Sequence, residues 1–301
     1  MEENIYHDVI IIGGSYAGLS AALALGRAIR NVLIIDNDRP CNWQTPHSHN
    51  FLTQDGNTPA AIAEISKSQV MAYPTIQFLN DTVVNVQGEN NNFVVFTLAG
   101  EPRKAKKLLF TTGIKDLLPA IPGFSDSWGI SVIHCPYCHG YEYKGQPTGI
   151  LANGETAFEF GRLINNWTNQ LTIFTNGEST ISAAHYKLLA AMNIAVFEKR
   201  IKEIIHVDGY LNRLVFDNEE EHDLDALYAR IPFEQHSYIP KELGCALTDS
   251  GHIQVDDFQK TTVPGIYAAG DNSTFLRAVT SAIAAGAKAG AFLNHELIAE
   301  N

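Results

Sequence analysis

Cysteine is scarce in this chain: four residues, Cys41, Cys135, Cys138 and Cys245, among 301. That is too few to staple a chain of this length, so stability must come from apolar burial, and the Cys135-x-x-Cys138 pair reads as redox or metal chemistry. Positive charge is also short. Lys and Arg number 21 against 33 Asp and Glu, a net charge of −12, which argues against nucleic acid or anionic membranes as partners because their phosphates would be repelled. No apolar run approaches the ~20 residues that a membrane-spanning helix needs. The first residues, Met-Glu-Glu-Asn-Ile-Tyr-His-Asp, lack the basic-then-apolar order of a secretory signal. A cytoplasmic location is the expectation.

What is present is ordinary globular composition, 45% hydrophobic and 18% charged, in a chain long enough for two cores. Asp8 to Ile12 reads as a buried parallel strand that runs into Gly13-Gly14-Ser15-Tyr16-Ala17-Gly18. A helix rich in Ala and Leu follows, then a β-branched strand from Asn31 to Ile35 ending at Asp36. Strand, glycine turn, helix, strand and acid make a dinucleotide-binding unit. Gly13 permits the turn, Gly18 permits close helix–strand packing, and Asp36 is placed for ribose hydroxyls. Ser15 stands where the fingerprint has its middle glycine, and it is small enough to let phosphate approach.

The polar stretch from Arg39 to Gly56 contains His47, His49 and Asn50 and is long for a simple connection, so it reads as a loop that wraps a cofactor. Its histidines read as structural or surface residues, and Cys41 as a small buried one. A helix near residues 58–72 and strands near 75–86, 92–98 and 104–111 follow, the last ending in Thr111-Thr112-Gly113. Far downstream, Thr262 to Asp271 forms a turn, a short buried strand and Gly270-Asp271. A helix dense in Ala and Gly then runs to about residue 298. Gly270 allows close approach, and Asp271 offers a carboxylate to the ribityl hydroxyls of a flavin.

These segments, in this order with the Cys-x-x-Cys between them, resemble the low-molecular-weight thioredoxin reductases over essentially the whole chain. The resemblance implies an α/β fold of two Rossmann-like domains, each a three-layer ββα arrangement. Residues 1–114 and 238–301 would form a discontinuous FAD domain, into which a nicotinamide-nucleotide-binding type of domain, 115–237, is inserted with the redox pair. It implies FAD held by Gly13, Gly14, Ser15, Tyr16, Ala17, Gly18, Asp36, Asn50, Val83, Thr112, Gly113, Gly270, Asp271, Ala278 and Val279. It also implies a homodimer. Cys138 would exchange electrons with the flavin, and Cys135 would be the thiol that meets substrate.

Zinc is the competing reading of the pair. A structural zinc site needs four ligands, and His134 and His139 lie too close in sequence to complete a tetrahedron with one Cys-x-x-Cys. No metal is expected.

Two departures separate this chain from an NADPH-driven reductase. The acid that usually follows the second cysteine is replaced by His139, with His134 on the other side, and a histidine can take and return a thiol proton near neutrality. The Cys-Pro-Tyr-Cys-His-Gly-Tyr-Glu run is similar to the branch containing gliotoxin-type dithiol oxidases, where O₂ reoxidises the flavin. In the inserted domain the fingerprint becomes Ala152-x-Gly154-x-x-Ala157. The run Phe174 to Ser179, where an arginine pair would grip the 2′-phosphate of NADPH, holds no cation and includes Glu178.

The expected activity is thiol–disulfide exchange coupled to FAD, on a small dithiol or disulfide or on a thioredoxin-like protein. NAD(P)H, or a protein donor such as ferredoxin, would be required only in the reductase direction. A flavoprotein that senses redox state without turnover is the reading from another class.

Overall fold

The computed structural model describes residues 6–300, so most of the N-terminal stretch read against a signal peptide lies outside them. The chain divides into two compact units. One contains the chain up to Trp43, residues 59–115 and the chain from Phe233 onward; the other contains 44–58 and 116–232.

The first unit begins with β1 (Tyr6–Ile12), α1 (Tyr16–Arg27), β2 (Val32–Asp36), α2 (Pro59–Met71) and β3 (Ile76–Asn80). A meander follows, β4 (Val83–Glu89), β5 (Asn92–Thr97) and β6 (Arg103–Phe110). β1 and β2 are almost continuous Val and Ile, as strands covered on both faces must be. The sheet order is β3-β2-β1-β6-β5-β4. Parallel pairing sets Ile12 beside Ile35 and Phe110, so these strands end side by side.

The short β7 (Ile114–Asp116) leaves this sheet, and the second unit follows. It contains α3 (Phe124–Ser127), β8 (Val132–Ile133), α4 (Pro136–His139), β9 (Thr148–Leu151), α5 (Gly154–Ile164), β10 (Leu171–Phe174), α6 (Ala183–Ala191) and β11 (Ala195–Phe197). Next come the antiparallel strands β12 (Ile201–Val207), β13 (Tyr210–Phe216) and β14 (Glu221–Asp223), then β15 (Ala226–Ala229). The central sheet is parallel in the order β11-β10-β9-β15-β8. This repeats the strand–helix–strand logic of the first unit. Separate apolar clusters form around Ile150, Ile173 and Tyr228 and around Phe174, Phe216 and Leu227.

The chain returns through β16 (Phe233–Gln235), which pairs with β7, then α7 (Ile239–Glu242), β17 (Ile266–Ala268) and the long α8 (Val279–Ala299). β17 pairs in parallel with β6, Ala268 beside Phe110. It thereby adds a fourth strand end to the edge where β1, β2 and β6 finish. α8 packs on α1 through small residues: a Cβ on Gly286 would lie 2.1 Å from the Ala17 carbonyl oxygen, and one on Gly290 2.6 Å from that of Ala21. The same helix is anchored by charge. Lys107 is fully buried, and its ammonium reaches Glu296 at 2.8 Å, Glu300 at 2.7 Å and Asn90 at 2.6 Å. Burial works to raise the Glu296 carboxyl, but hydrogen bonds from Lys107, Lys260 and Tyr267 outweigh it and hold it at about 2.

Candidate functional site

The first glycine turn is built by close approach. Gly13 has φ +107°, and a Cβ there would sit 2.4 Å from the Thr111 carbonyl oxygen; a side chain would meet both conformational strain and backbone. A Cβ on Gly18 would lie 2.0 Å from the Gly13 carbonyl oxygen. Thr111 locks the turn from β6, its hydroxyl donating to the Gly13 carbonyl at 2.6 Å. The Gly14 N–H donates to Asp36 Oδ2, and Oδ1 accepts from the Asp38 N–H at 2.7 Å. The acid at the end of β2 is therefore held beside the turn.

Ser15 caps α1 without a side-chain hydrogen bond, leaving the first-turn N–H groups of a twelve-residue helix directed at whatever lies beyond it. Tyr16 and Ala17 open that helix, and Ala17 is buried.

The other expected FAD residues of this unit gather at the same sheet edge. Thr112 and Gly113 continue directly from β6. Gly270 follows β17, with φ +93° and its Cβ position 3.1 Å from Ala17. Asp271 pairs with Arg277 at 3.8 Å; Ala278 caps α8 and Val279 begins it. Among the buried polar atoms of this unit, Thr112 Oγ1, Gln235 Oε1 and Asn272 Oδ1 have no hydrogen-bond partner in the protein. Orphaned acceptors and donors of this kind need a ligand or water.

A turn kept free of Cβ atoms, an uncapped helix start, a fixed acid and unsatisfied polar atoms fit a dinucleotide, and FAD fits here through Gly13–Gly18, Asp36, Thr112 and Asp271. Val83 is half-buried at the start of β4, against the apolar cluster that contains Ile10 and Phe110. Asn50 falls in 44–58 and so groups with the other unit, its N–H donating to Asp55 Oδ1 at 2.8 Å.

The second fingerprint has a different interior. Asn153 caps α5, and its Oδ1 accepts from the Gly154 N–H at 2.8 Å, the Thr180 N–H at 2.8 Å and the Thr180 hydroxyl at 3.1 Å. Its Nδ2 donates to the Glu178 carbonyl at 2.9 Å. One side chain thus draws the segment after β10 over the turn, and a Cβ on Gly154 would stand 3.0 Å from Thr180 Oγ1. Farther along, the Asn176 amide oxygen accepts from the Ile201 N–H at 2.7 Å, and Glu198 accepts from the Ser179 N–H at 3.0 Å. The Gly154 and Thr180 N–H groups are thus both taken up by Asn153, and the run Phe174 to Ser179 carries Glu178 and no cation. The run offers the 2′-phosphate of NADPH no cation of its own, and Lys199 and Arg200 lie in the segment after β11 that packs beside it.

Cys135 and Cys138 are joined as a disulfide. Cys135 precedes α4, Pro136 begins it, and the Cys138 and His139 N–H groups both donate to the Cys135 carbonyl at 3.2 Å. Gly140 lets the turn settle on Trp167, whose indole nitrogen would lie 2.9 Å from a Cβ there. Tyr137 meets the same indole edge-on at 5.6 Å. His134 stacks on Trp128 at 5.9 Å. Burial, with a smaller contribution from the charge of His49, pushes the His139 imidazole down to about 4. It is a neutral base at pH 7.

Among the described residues no group of three or more His, Cys, Asp or Glu could hold a metal ion. Cys245 is buried, as expected, but Cys41 is exposed, which corrects its reading as a buried residue: it lies in a turn between strand and loop, outside either core. The sequence reads His49 as a structural or surface residue. It stands 3.6 Å from Glu142, four residues beyond Cys138, and no local spacing announces that contact.

Two Rossmann-like units, one shaped for FAD, and a Cys-x-x-Cys disulfide define a flavin-dependent disulfide oxidoreductase. The sequence profile of the pyridine nucleotide-disulphide oxidoreductases matches residues 7–288, and the chain belongs to that family. Among its relatives is Thioredoxin reductase tcpT of Claviceps purpurea, 31% identical over 97% of this chain and 95% of the relative. Thioredoxin reductase sirT of Leptosphaeria maculans is 30% identical over 97% and 94%. The crystal structure of an oxidoreductase from Agrobacterium tumefaciens superposes with a TM-score of 0.92 at 36% identity, covering 98% of this chain and all of that one. Among the described residues no helix is long and apolar enough to cross a membrane.

Proposed function

We propose that the chain works as a dithiol oxidase: it takes two electrons from a small-molecule dithiol through Cys135 and Cys138, FAD accepts them, and O₂ serves as the final oxidant. The observation that carries this reading is Asn153, whose side chain satisfies the α5 turn from within. A nicotinamide-driven reductase depends on a donor bound at that turn, and an oxidase does not.

In this reading Cys135 is the thiol that meets substrate, Cys138 passes electrons to the flavin, and His139 handles protons where a carboxyl usually stands. His134 shapes the other side through its stack on Trp128. Asn50, Val83, Ala278 and Val279 complete the flavin-binding set, and the protein acts as a cytoplasmic homodimer with the FAD domain formed by 1–114 and 238–301 and the inserted domain by 115–237. The chemistry that FAD supplies when bound is two-electron acceptance and reoxidation by O₂.

Relatives named thioredoxin reductases support a second reading, disulfide reduction on a thioredoxin-like protein with NAD(P)H or a reduced protein such as ferredoxin as donor.

Anaerobic stopped-flow bleaching of the flavin separates the two. Dithiothreitol is expected to bleach the wild type and not Cys138→Ser, while NADPH and NADH leave it yellow. Rapid bleaching by NADPH would overturn the oxidase reading. Failure of every donor would leave a redox sensor without turnover.

A further inference from the structure

The oxidase reading leaves a proton problem at the disulfide. A substrate thiolate attacks Cys135 Sγ, the Cys135–Cys138 bond breaks, and Cys138 leaves as thiolate. The second substrate thiolate then attacks the substrate sulfur of the mixed disulfide, closing the product disulfide and releasing Cys135 as thiolate. The substrate loses two electrons, the protein disulfide gains them, and two protons leave the substrate thiols. His139, next to Cys138, is a base of the right type, but burial makes it a poor place to keep a proton.

We propose that His49 is the outer station of a proton path from the Cys135–Cys138 turn, taking protons from His139 and passing them to Glu142, Asp55 and water. This proposal rests on the dithiol-oxidising reading above. His49 stands between two carboxylates, with Nε2 3.6 Å from Glu142 Oε1 and Nδ1 3.6 Å from Asp55 Oδ1. Both contacts are wider than a direct hydrogen bond, a spacing that one water can bridge.

Exposure rises outward along the path. The side chain of His49 is 22% exposed, that of Glu142 36% and that of Asp55 66%. The proton thus moves from a half-buried imidazole to acceptors in contact with solvent. The charge of His49 is felt at His139, so a proton on the outer ring disfavours one on the inner ring.

The loop that carries His49 is fixed for the task. The Asn50 N–H holds Asp55 Oδ1 at 2.8 Å, and the His47 ring N–H donates to the Gly56 carbonyl at 2.9 Å. Gln44 Nε2 donates to the Trp128 carbonyl at 2.6 Å, and Trp128 is the ring on which His134 stacks. The titratable groups facing His49 are then His47 and Asp55 from its own loop, His139 from α4 and Glu142 from the segment after it.

The test is the pH profile of anaerobic flavin bleaching by dithiothreitol in wild type, His49→Gln and Glu142→Gln, with solvent deuterium substitution. A second readout is the rate at which iodoacetamide alkylates the dithiothreitol-reduced protein. His49→Gln is expected to slow bleaching by at least ~10-fold at pH 7, within the range of lost acid–base assistance, and to enlarge the solvent isotope effect. Its rate should recover above about pH 8.5, where thiols ionise unaided. Glu142→Gln should show a smaller loss with the same recovery, and alkylation by iodoacetamide should shift its pH midpoint in both variants.

A pH-independent loss in His49→Gln, with an unchanged alkylation profile, would mean a purely structural loop and overturn the proposal. So would a profile identical to wild type. If dithiothreitol fails to bleach the wild type at any pH, the oxidase reading falls and takes the relay with it, an outcome distinct from a bleaching wild type with an indifferent His49.

Discussion

The two nucleotide turns of this chain share a plan and differ in what fills them. In the first turn Gly13 and Gly18 leave no room for a side chain, since a Cβ there would collide with backbone, while Ser15 makes no side-chain cap and Asp36 is held at the turn by the Gly14 N–H. At Ala152–Ala157 a side chain has entered. Asn153 caps α5 and ties down Thr180 and Glu178, so donors that would meet a phosphate meet the protein instead. A backbone N–H has one bond to give. The Gly14 N–H gives it to Asp36, the acid at the end of β2, and the Gly154 N–H gives it to Asn153, which also draws in Thr180. The same fingerprint spacing therefore does not guarantee the same function.

The comparison can be broken first at the charged staple that holds α8 against the first unit. Lys107→Met removes a buried cation from two carboxylates, and a loss of about 3 kcal/mol is expected in urea denaturation, at the lower end of such deletions because Glu296 and Glu300 retain some water. A loss within error would mean that the small-residue contact of α8 with α1 suffices alone. Gly18→Ala should cost about 1–3 kcal/mol from overpacking against the Gly13 carbonyl. It should also yield protein without the flavin absorbance. A variant that stays fully yellow would show that the first turn is looser than its contacts imply.

Opening the second turn tests the other half. Asn153→Gly removes the cap and the ties to Thr180 and Glu178, and a loss of about 1–2 kcal/mol is expected in thermal or urea unfolding. Combining it with Glu178→Arg should give detectable NADPH binding by calorimetry where wild type shows none. If the double variant still ignores NADPH, closure by Asn153 is not the barrier.

At neutral pH the smallest effect is that of His139, which shows only as the pH falls. The folded value of His139 lies below its unfolded one, so the unfolded chain binds more protons between about 6.5 and about 4. The contribution of His139 is complete above pH 6.5 and is lost as pH falls through that window, by at most ~1.4 kcal/mol per pH unit. In urea titrations His139→Gln should flatten the slope there; an unchanged slope would show that another group carries it.

Much of the site could be read before folding was considered. Gly13, Gly18 and Asp36 sit at spacings fixed by one strand–turn–helix–strand unit, and Cys135 and Cys138 are close enough in sequence to bond across one turn. Local geometry made those readings safe. The contacts that were not legible join distant segments. His49 and Glu142 are 93 positions apart, and Lys107 and Glu296 are 189 apart; nothing in either neighbourhood points to its partner. Asn153 was visible only as the unspecified residue of a degraded fingerprint, because its effect depends on Thr180 returning to it. Cys41 was misread because small apolar residues are usually buried and the loop after β2 keeps this one outside.

The sequence alone determined the family, the glycine turn of the first unit and the pairing of Cys135 with Cys138, since each rests on residue types at short fixed separations. Tertiary structure decided which turn stays open and which is closed, and what stands outward of His139. Those properties depend on which donors and charges meet across long loops, and only the packed chain chooses the partners.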